Sequence, residues 1–132
     1  MNPIIEHVIH NYLGSIAVAT QLLVANQILL PTSDREWCKI KLTTLYHDSQ
    51  KVVYRKHGYG LEVRINDLII DFDFGINGQT TGFDLWRLTS YIEQNSINIS
   101  PLTINEFELL FNEAVTSGHI IKFDRLFYLK NE

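Results

Sequence analysis

Residues 60–75 alternate in a pattern that an antiparallel hairpin uses and few other arrangements can. Leu61, Val63 and Ile65 fall at every second position with Glu62 and Arg64 between them, and Asn66-Asp67 can turn the chain into a second run, Leu68–Phe72. Successive side chains of a strand point to opposite faces. A two-residue turn therefore predicts a register in which Ile65 faces Leu68, Val63 faces Ile70 and Leu61 faces Phe72, with all six on one apolar face. The same register sets Arg64 against Ile69, Glu62 against Asp71 and Gly60 against Asp73 on the opposite face, which is acidic. A slip of one residue would set Val63 against Ile69 and turn alternate apolar groups outward. The hairpin Gly60–Gly75 thus decides which side of the sheet is core.

Val52–Arg55 reads as a preceding strand, with His57-Gly-Tyr-Gly60 as the turn between them. Towards the N-terminus, Ile5, Val8, Ile9 and Tyr12 recur at helical spacing, predicting a helix over Pro3–Leu13 that starts at Asn2-Pro3. Gly14 and Ser15 are expected to interrupt or bend it before a second helical stretch through Ala17, Leu22, Leu23 and Leu30. Pro31–Asp34 is a break. Arg35–Tyr46 carries opposed signals: Ser33 and Glu36 have the spacing of a helix capping box, whereas Cys38, Ile40 and Leu42 alternate. Thr43–Tyr46 tip the reading towards an extended segment.

Beyond the hairpin, Gly75–Gly82 is a loop. Phe83–Gln94 has helical character, with Thr81 and Asp84 at capping-box spacing, a stripe of Leu85, Leu88 and Ile92, and Trp86 assigned to the core beside it. Thr103 and Glu106 cap a further helix that buries Phe107, Leu110, Phe111 and Ala114 and stops at Gly118. His119–Leu129 alternates about Asp124-Arg125 as a short hairpin. A helix followed by a hairpin invites comparison with a winged-helix module, but Glu106, Glu108 and Glu113 make this helix acidic, with no basic residue to face nucleic acid. The expected architecture is one α+β domain over residues 1–132: N-terminal helices, a central antiparallel sheet containing the Gly60–Gly75 hairpin, two later helices and a C-terminal hairpin.

A formal net charge of −4 offers no field for gathering phosphate backbones, which weighs against nucleic acid as a partner. Cys38 is the single cysteine, so no internal disulfide can form and a reducing, cytoplasmic setting is expected. No signal peptide is read at the N-terminus. Ile16–Leu30 is interrupted by Thr20, Gln21, Asn26 and Gln27 and reads as a core element rather than a membrane span.

The polar residues worth testing are His57, Glu62, Asp71, Asp73 and Asp84, with Arg64 and Arg87 as charge partners. Asp71 and Asp73 share a strand face, and the register brings Glu62 across from Asp71. Such carboxylates can be structural: Asp71 pairing diagonally with Arg64, Asp73 bonding the glycine loop, Asp84 capping its helix. They can also serve chemistry, with His57, Asp71, Asp73 and Asp84 as acid and base groups of a small hydrolase. No cofactor and no resident metal are expected. The string Asp73-Phe-Gly75 occurs in protein kinases, but the glycine-rich loop, lysine strand and catalytic loop that give it meaning are missing from this sequence.

Gly14-Ser-Ile-Ala-Val18, His57-Gly-Tyr-Gly60, Asp71-Phe-Asp-Phe-Gly75, Gly82-Phe-Asp-Leu-Trp-Arg-Leu88, Pro101-Leu-Thr103 and Tyr128-Leu129 together resemble a small bacterial domain family of unknown function. The resemblance covers most of the chain and implies a toxin-immunity role by association. On that reading the protein is a noncatalytic protein-binding domain with a cognate bacterial toxin as partner. Its contacts would come from Tyr59, Glu62, Arg64, Asp71, Asp73 and Trp86, the acidic face meeting a basic nuclease and the aromatics anchoring it. The small hydrolase is the alternative.

Overall fold

A computed structural model describes residues 1–28, 35, 39–58, 60–73, 82–124 and 126–130. The first element is a single helix, α1 (Pro3–Ala25). Asn2 caps it, its side-chain oxygen accepting from Ile4 N at 2.8 Å. Gly14 and Ser15 do not interrupt this helix, contrary to the sequence expectation. A glycine costs a helix interior only about 1 kcal/mol relative to alanine, and the buried face formed by Ile5, Val8, Ile9, Tyr12, Ile16, Ala19 and Leu23 runs through that position without a change of phase. The helix ends before Leu30. Gln27 takes a left-handed φ of 63°, while Gln27 N and Ile28 N bond Val24 O and Leu23 O, satisfying carbonyls of the last turn. By length and composition α1 is apolar enough to cross a membrane, yet its buried side chains follow the one-sided spacing of a core helix.

Contacts group the chain into two units, Gly14–Thr80 and Met1–Leu13 with Thr81–Glu132. The first unit holds a four-stranded antiparallel meander, β1 (Thr43–His47), β2 (Gln50–His57), β3 (Gly60–Ile65) and β4 (Leu68–Asp73), in sequence order. The β3–β4 register is the one the alternation predicts, pairing Ile65 with Leu68, Val63 with Ile70, Leu61 with Phe72, and Glu62 with Asp71. Asn66 makes the turn by adopting a φ of 54°, a conformation asparagine tolerates better than most residues. Val52, Tyr54, Leu61, Val63, Ile65, Ile70 and Phe72 are buried. Of the segment Arg35–Tyr46, expected to be extended, Thr43–Tyr46 is strand, Arg35 is helical and residues 36–38 lie outside the described residues. The end of α1 is tied to β1 by Asn26 Nδ2 and His47 Nδ1, 3.1 Å apart.

The second unit contains α2 (Leu85–Gln94), α3 (Ile104–Thr116) and the hairpin β5 (Ile120–Phe123) with β6 (Leu126–Leu129). Asp84, rather than Thr81, caps α2; Thr81 lies outside the described residues. Phe83 is taken out of the helix by a two-way backbone bridge with Phe127, with N–H to oxygen distances of 2.9 and 2.7 Å. Its ring packs edge-on against Tyr12 and Phe111, with centroids 6.4 and 6.1 Å away, and each such pair adds about 0.5–1.5 kcal/mol beyond burial. Gly82 precedes it because a Cβ there would stand 2.7 Å from Cζ of Tyr128. The Thr103–Glu106 capping box forms as predicted, and Gly118, at φ 85°, closes α3 with Gly118 N on Val115 O and His119 N on Ala114 O. Trp86 is not in the core. It is 58% exposed and lies on the outer side of α2 against the Arg87 guanidinium.

Candidate functional site

The face of the β1–β4 sheet opposite its apolar side is ordered by register. Arg55, Glu62 and Asp71 stand in a row across β2, β3 and β4, and His57, Gly60 and Asp73 form the next row. Glu62 is 6% exposed, Asp71 6% and Asp73 fully buried, so these carboxylates are buried rather than solvated. Burying carboxylates is costly unless each is paired. Among the described residues no buried side-chain nitrogen or oxygen lacks a hydrogen-bond partner.

The pairing explains how. Glu62 Oε1 accepts from Arg55 Nε at 3.2 Å and from Arg64 Nε at 3.0 Å, and its Oε2 accepts from Arg55 Nη2 at 3.1 Å. Burial alone would raise the Glu62 carboxyl, but the hydrogen bonds and charges of Arg55 and Arg64 outweigh it and hold the group below the ordinary glutamate range. Arg55 is held above its ordinary value, first by its hydrogen bond to Glu62 and then by that carboxylate's charge. Asp71 does not follow the diagonal pairing with Arg64 expected from the sequence. Arg64 goes to Glu62, and Asp71 Oδ2 is in hydrogen-bond contact with His57 Nδ1. Gly60, between His57 and Asp73 in the register, has no side chain to stand between the two strands that carry the pair.

His57, Glu62 and Asp71 each offer a ligand atom within 4.8 Å of the other two. One imidazole nitrogen and two carboxylates form a donor set a divalent cation can use. Two guanidiniums on Glu62 compete for the same oxygens, so the arrangement suits proton transfer better. An ionised carboxylate only accepts, so the tautomer that suits this contact carries its proton on Nδ1, and a buried aspartate beside a partly exposed histidine is an arrangement general acid–base catalysis uses. The His57 side chain is 37% exposed and that of Asp71 only 7%.

The other candidates fall differently. Asp73 is fully buried and hydrogen-bonded. Asp84 serves α2 in the second unit, its Oδ1 accepting from Arg87 N at 2.7 Å and its Oδ2 from Arg87 Nη1 at 2.6 Å. Trp86 is exposed beside it, and Tyr59 lies outside the described residues. Arg55 is the site residue that sequence reasoning missed. With strands running to His57 and from Gly60, a tight turn at Gly58 sets Arg55 opposite Glu62, a signal the alternation already contained.

Residues 5–129 match a family described as a domain of unknown function, DUF6896. The chain belongs to this family. No curated protein and no solved structure matches it. The noncatalytic protein-binding reading, with its immunity role, is overturned by the His57/Glu62/Asp71 cluster. A surface built only to complement a partner would leave its carboxylates solvated, whereas Glu62 and Asp71 are buried and paired, and Asp71 contacts a partly exposed imidazole. The hydrolase alternative accounts for this better.

Proposed function

We propose that this DUF6896 chain is a small hydrolase in which His57 and Asp71 act as an acid–base pair. The observation that carries the reading is the contact from His57 Nδ1 to the buried Asp71 carboxylate. In the proposed reaction His57 accepts a proton from water at Nε2 as the water oxygen bonds to the electrophilic centre of the substrate. The bond to the leaving group breaks, and the same proton passes from Nε2 to that group. Asp71 holds the tautomer throughout and stabilises the imidazolium formed between the two transfers. Arg55, in the row with Glu62 and Asp71, and Arg64, also bonded to Glu62, are the cations that would stabilise negative charge developing on the substrate. The lone Cys38 favours a reducing, cytoplasmic setting for this chemistry.

The test is hydrolysis of a panel of p-nitrophenyl carboxylic esters and phosphate esters by the wild type, His57→Ala and Asp71→Asn, with and without EDTA. Turnover of at least one ester, reduced at least a hundredfold by His57→Ala and strongly by Asp71→Asn, supports the pair. Absence of turnover across the panel, or turnover indifferent to His57, rejects it. Loss of activity with EDTA, restored by added divalent cation, would instead favour the His57/Glu62/Asp71 donor set as a metal centre.

A further inference from the structure

A groove of about 450 Å³ lies on the same sheet face, lined by Leu42, Lys51, Val53, Arg55, Glu62, Arg64 and Asn66. Its charge runs against that of the chain. The protein carries a net −4, yet among the described residues the groove sets three cationic side chains against the carboxylate of Glu62. That carboxylate orients the cations more than it neutralises them, because it grips Arg55 through two nitrogens but Arg64 through Nε alone. Among the described residues, Nη1 and Nη2 of Arg64 and Nζ of Lys51 have no hydrogen-bond or ion-pair partner. Arg55 and Arg64 are about half exposed, at 46% and 51%, so a ligand can reach them without opening the core.

We infer that this groove binds an oxyanion group, a phosphate or a carboxylate, carried by a small-molecule substrate. A guanidinium anchored at Nε by Glu62, as Arg64 is, keeps its Nη groups available to a ligand, and guanidinium N–H groups recognise planar or tetrahedral oxyanions. Lys51 adds a second positive charge from the neighbouring row, and Leu42 and Val53 supply apolar wall for the carbon part of the ligand. Glu62 belongs to both the groove and the His57/Asp71 cluster. An anion held by Arg64 and Lys51 therefore brings the adjoining part of its own molecule towards the imidazole. The consequence for turnover rests on the acid–base reading above; the binding itself does not.

The probes are inorganic phosphate and malonate, titrated separately into ¹⁵N-labelled full-length protein while the Nε–Hε signals of Arg55 and Arg64 are followed. A saturable shift is expected with at least one of them, weakened roughly tenfold by Arg64→Gln and by Lys51→Gln and further weakened by added sodium chloride. Both substitutions sit at exposed or half-exposed positions, and circular dichroism checks that each variant is folded. Stronger binding of phosphate assigns a phosphate ester, and stronger binding of malonate a carboxylate. His57→Ala is expected to keep the anion affinity, and a wild type that binds the anion but hydrolyses no ester counts against the acid–base pair alone. If neither anion moves the arginine signals, or if binding is indifferent to both Arg64→Gln and Lys51→Gln, the groove is not an oxyanion site.

Discussion

The imidazole of His57, on β2, hydrogen-bonds the carboxylate of Asp71, on β4, with a whole strand between them. Neighbouring strands stand about 4.8 Å apart, so partners two strands apart meet only where the intervening strand leaves room. Gly60 on β3, paired with His57, presents no side chain there. Buried Asp71 and half-buried His57 are thereby joined on the polar side of a sheet whose other side is core.

Replacing that glycine gives the first prediction. Gly60→Val suits a strand but adds a branched side chain at the position paired with His57. The low-field Nδ1 proton signal of His57 is expected to disappear, while far-ultraviolet circular dichroism retains the sheet. A signal that persists unchanged would show that the contact does not pass over Gly60.

Glu62 gives a pH dependence of definite sign. Its folded value lies below the ordinary 4.5, so in the unfolded chain it binds a proton more readily than in the native state. Its pairing contributes fully above about pH 4.5, and the contribution is lost as pH falls through the folded value. Urea midpoints of the wild type and Glu62→Gln should therefore differ most near neutrality and converge on acidification. A gap that stays constant from pH 7 to pH 3 would contradict the pairing. Because Arg55 and Arg64 are half exposed, added salt should narrow the gap as well.

Gly82 tests the packing of the second unit. A Cβ at this position would lie 2.7 and 2.8 Å from Cζ and Cε1 of Tyr128 and 3.0 Å from Cβ of Leu126. Gly82→Ala is expected to destabilise by about 1–3 kcal/mol, the usual cost of overpacking. Combined with Tyr128→Ala it should cost less than the two changes added together. Strict additivity in chemical denaturation would mean that the ring moves aside without strain.

The parts of the fold legible in the sequence were those set by local pattern. The β3–β4 register followed from alternation and turn length, the Thr103–Glu106 cap from spacing, and the end of α3 from Gly118. What escaped depended on neighbours that spacing does not reveal. Gly14 looked like a break because glycine is a weak helix former, but a continuous buried stripe kept α1 intact. Trp86 reads as core because its helical neighbours are apolar, yet Leu88, Tyr91 and Ile92 take the inner side of α2. At the site, the sequence pointed to the residues and mispaired them. Whether Arg64 goes to Asp71 or to Glu62 depends on β2, which brings Arg55 and His57 to the same face.

Every member of the site is delivered by two successive hairpins, so the site and the hydrophobic core are opposite readings of one alternation. A single residue gained or lost in the Asn66-Asp67 turn would carry Asp71 into the apolar layer and Ile70 into the polar one. Chemistry and folding are thus locked to a shared reading frame in space. This segment can change its reactive groups by substitution at alternate positions, but it cannot change its length without surrendering both.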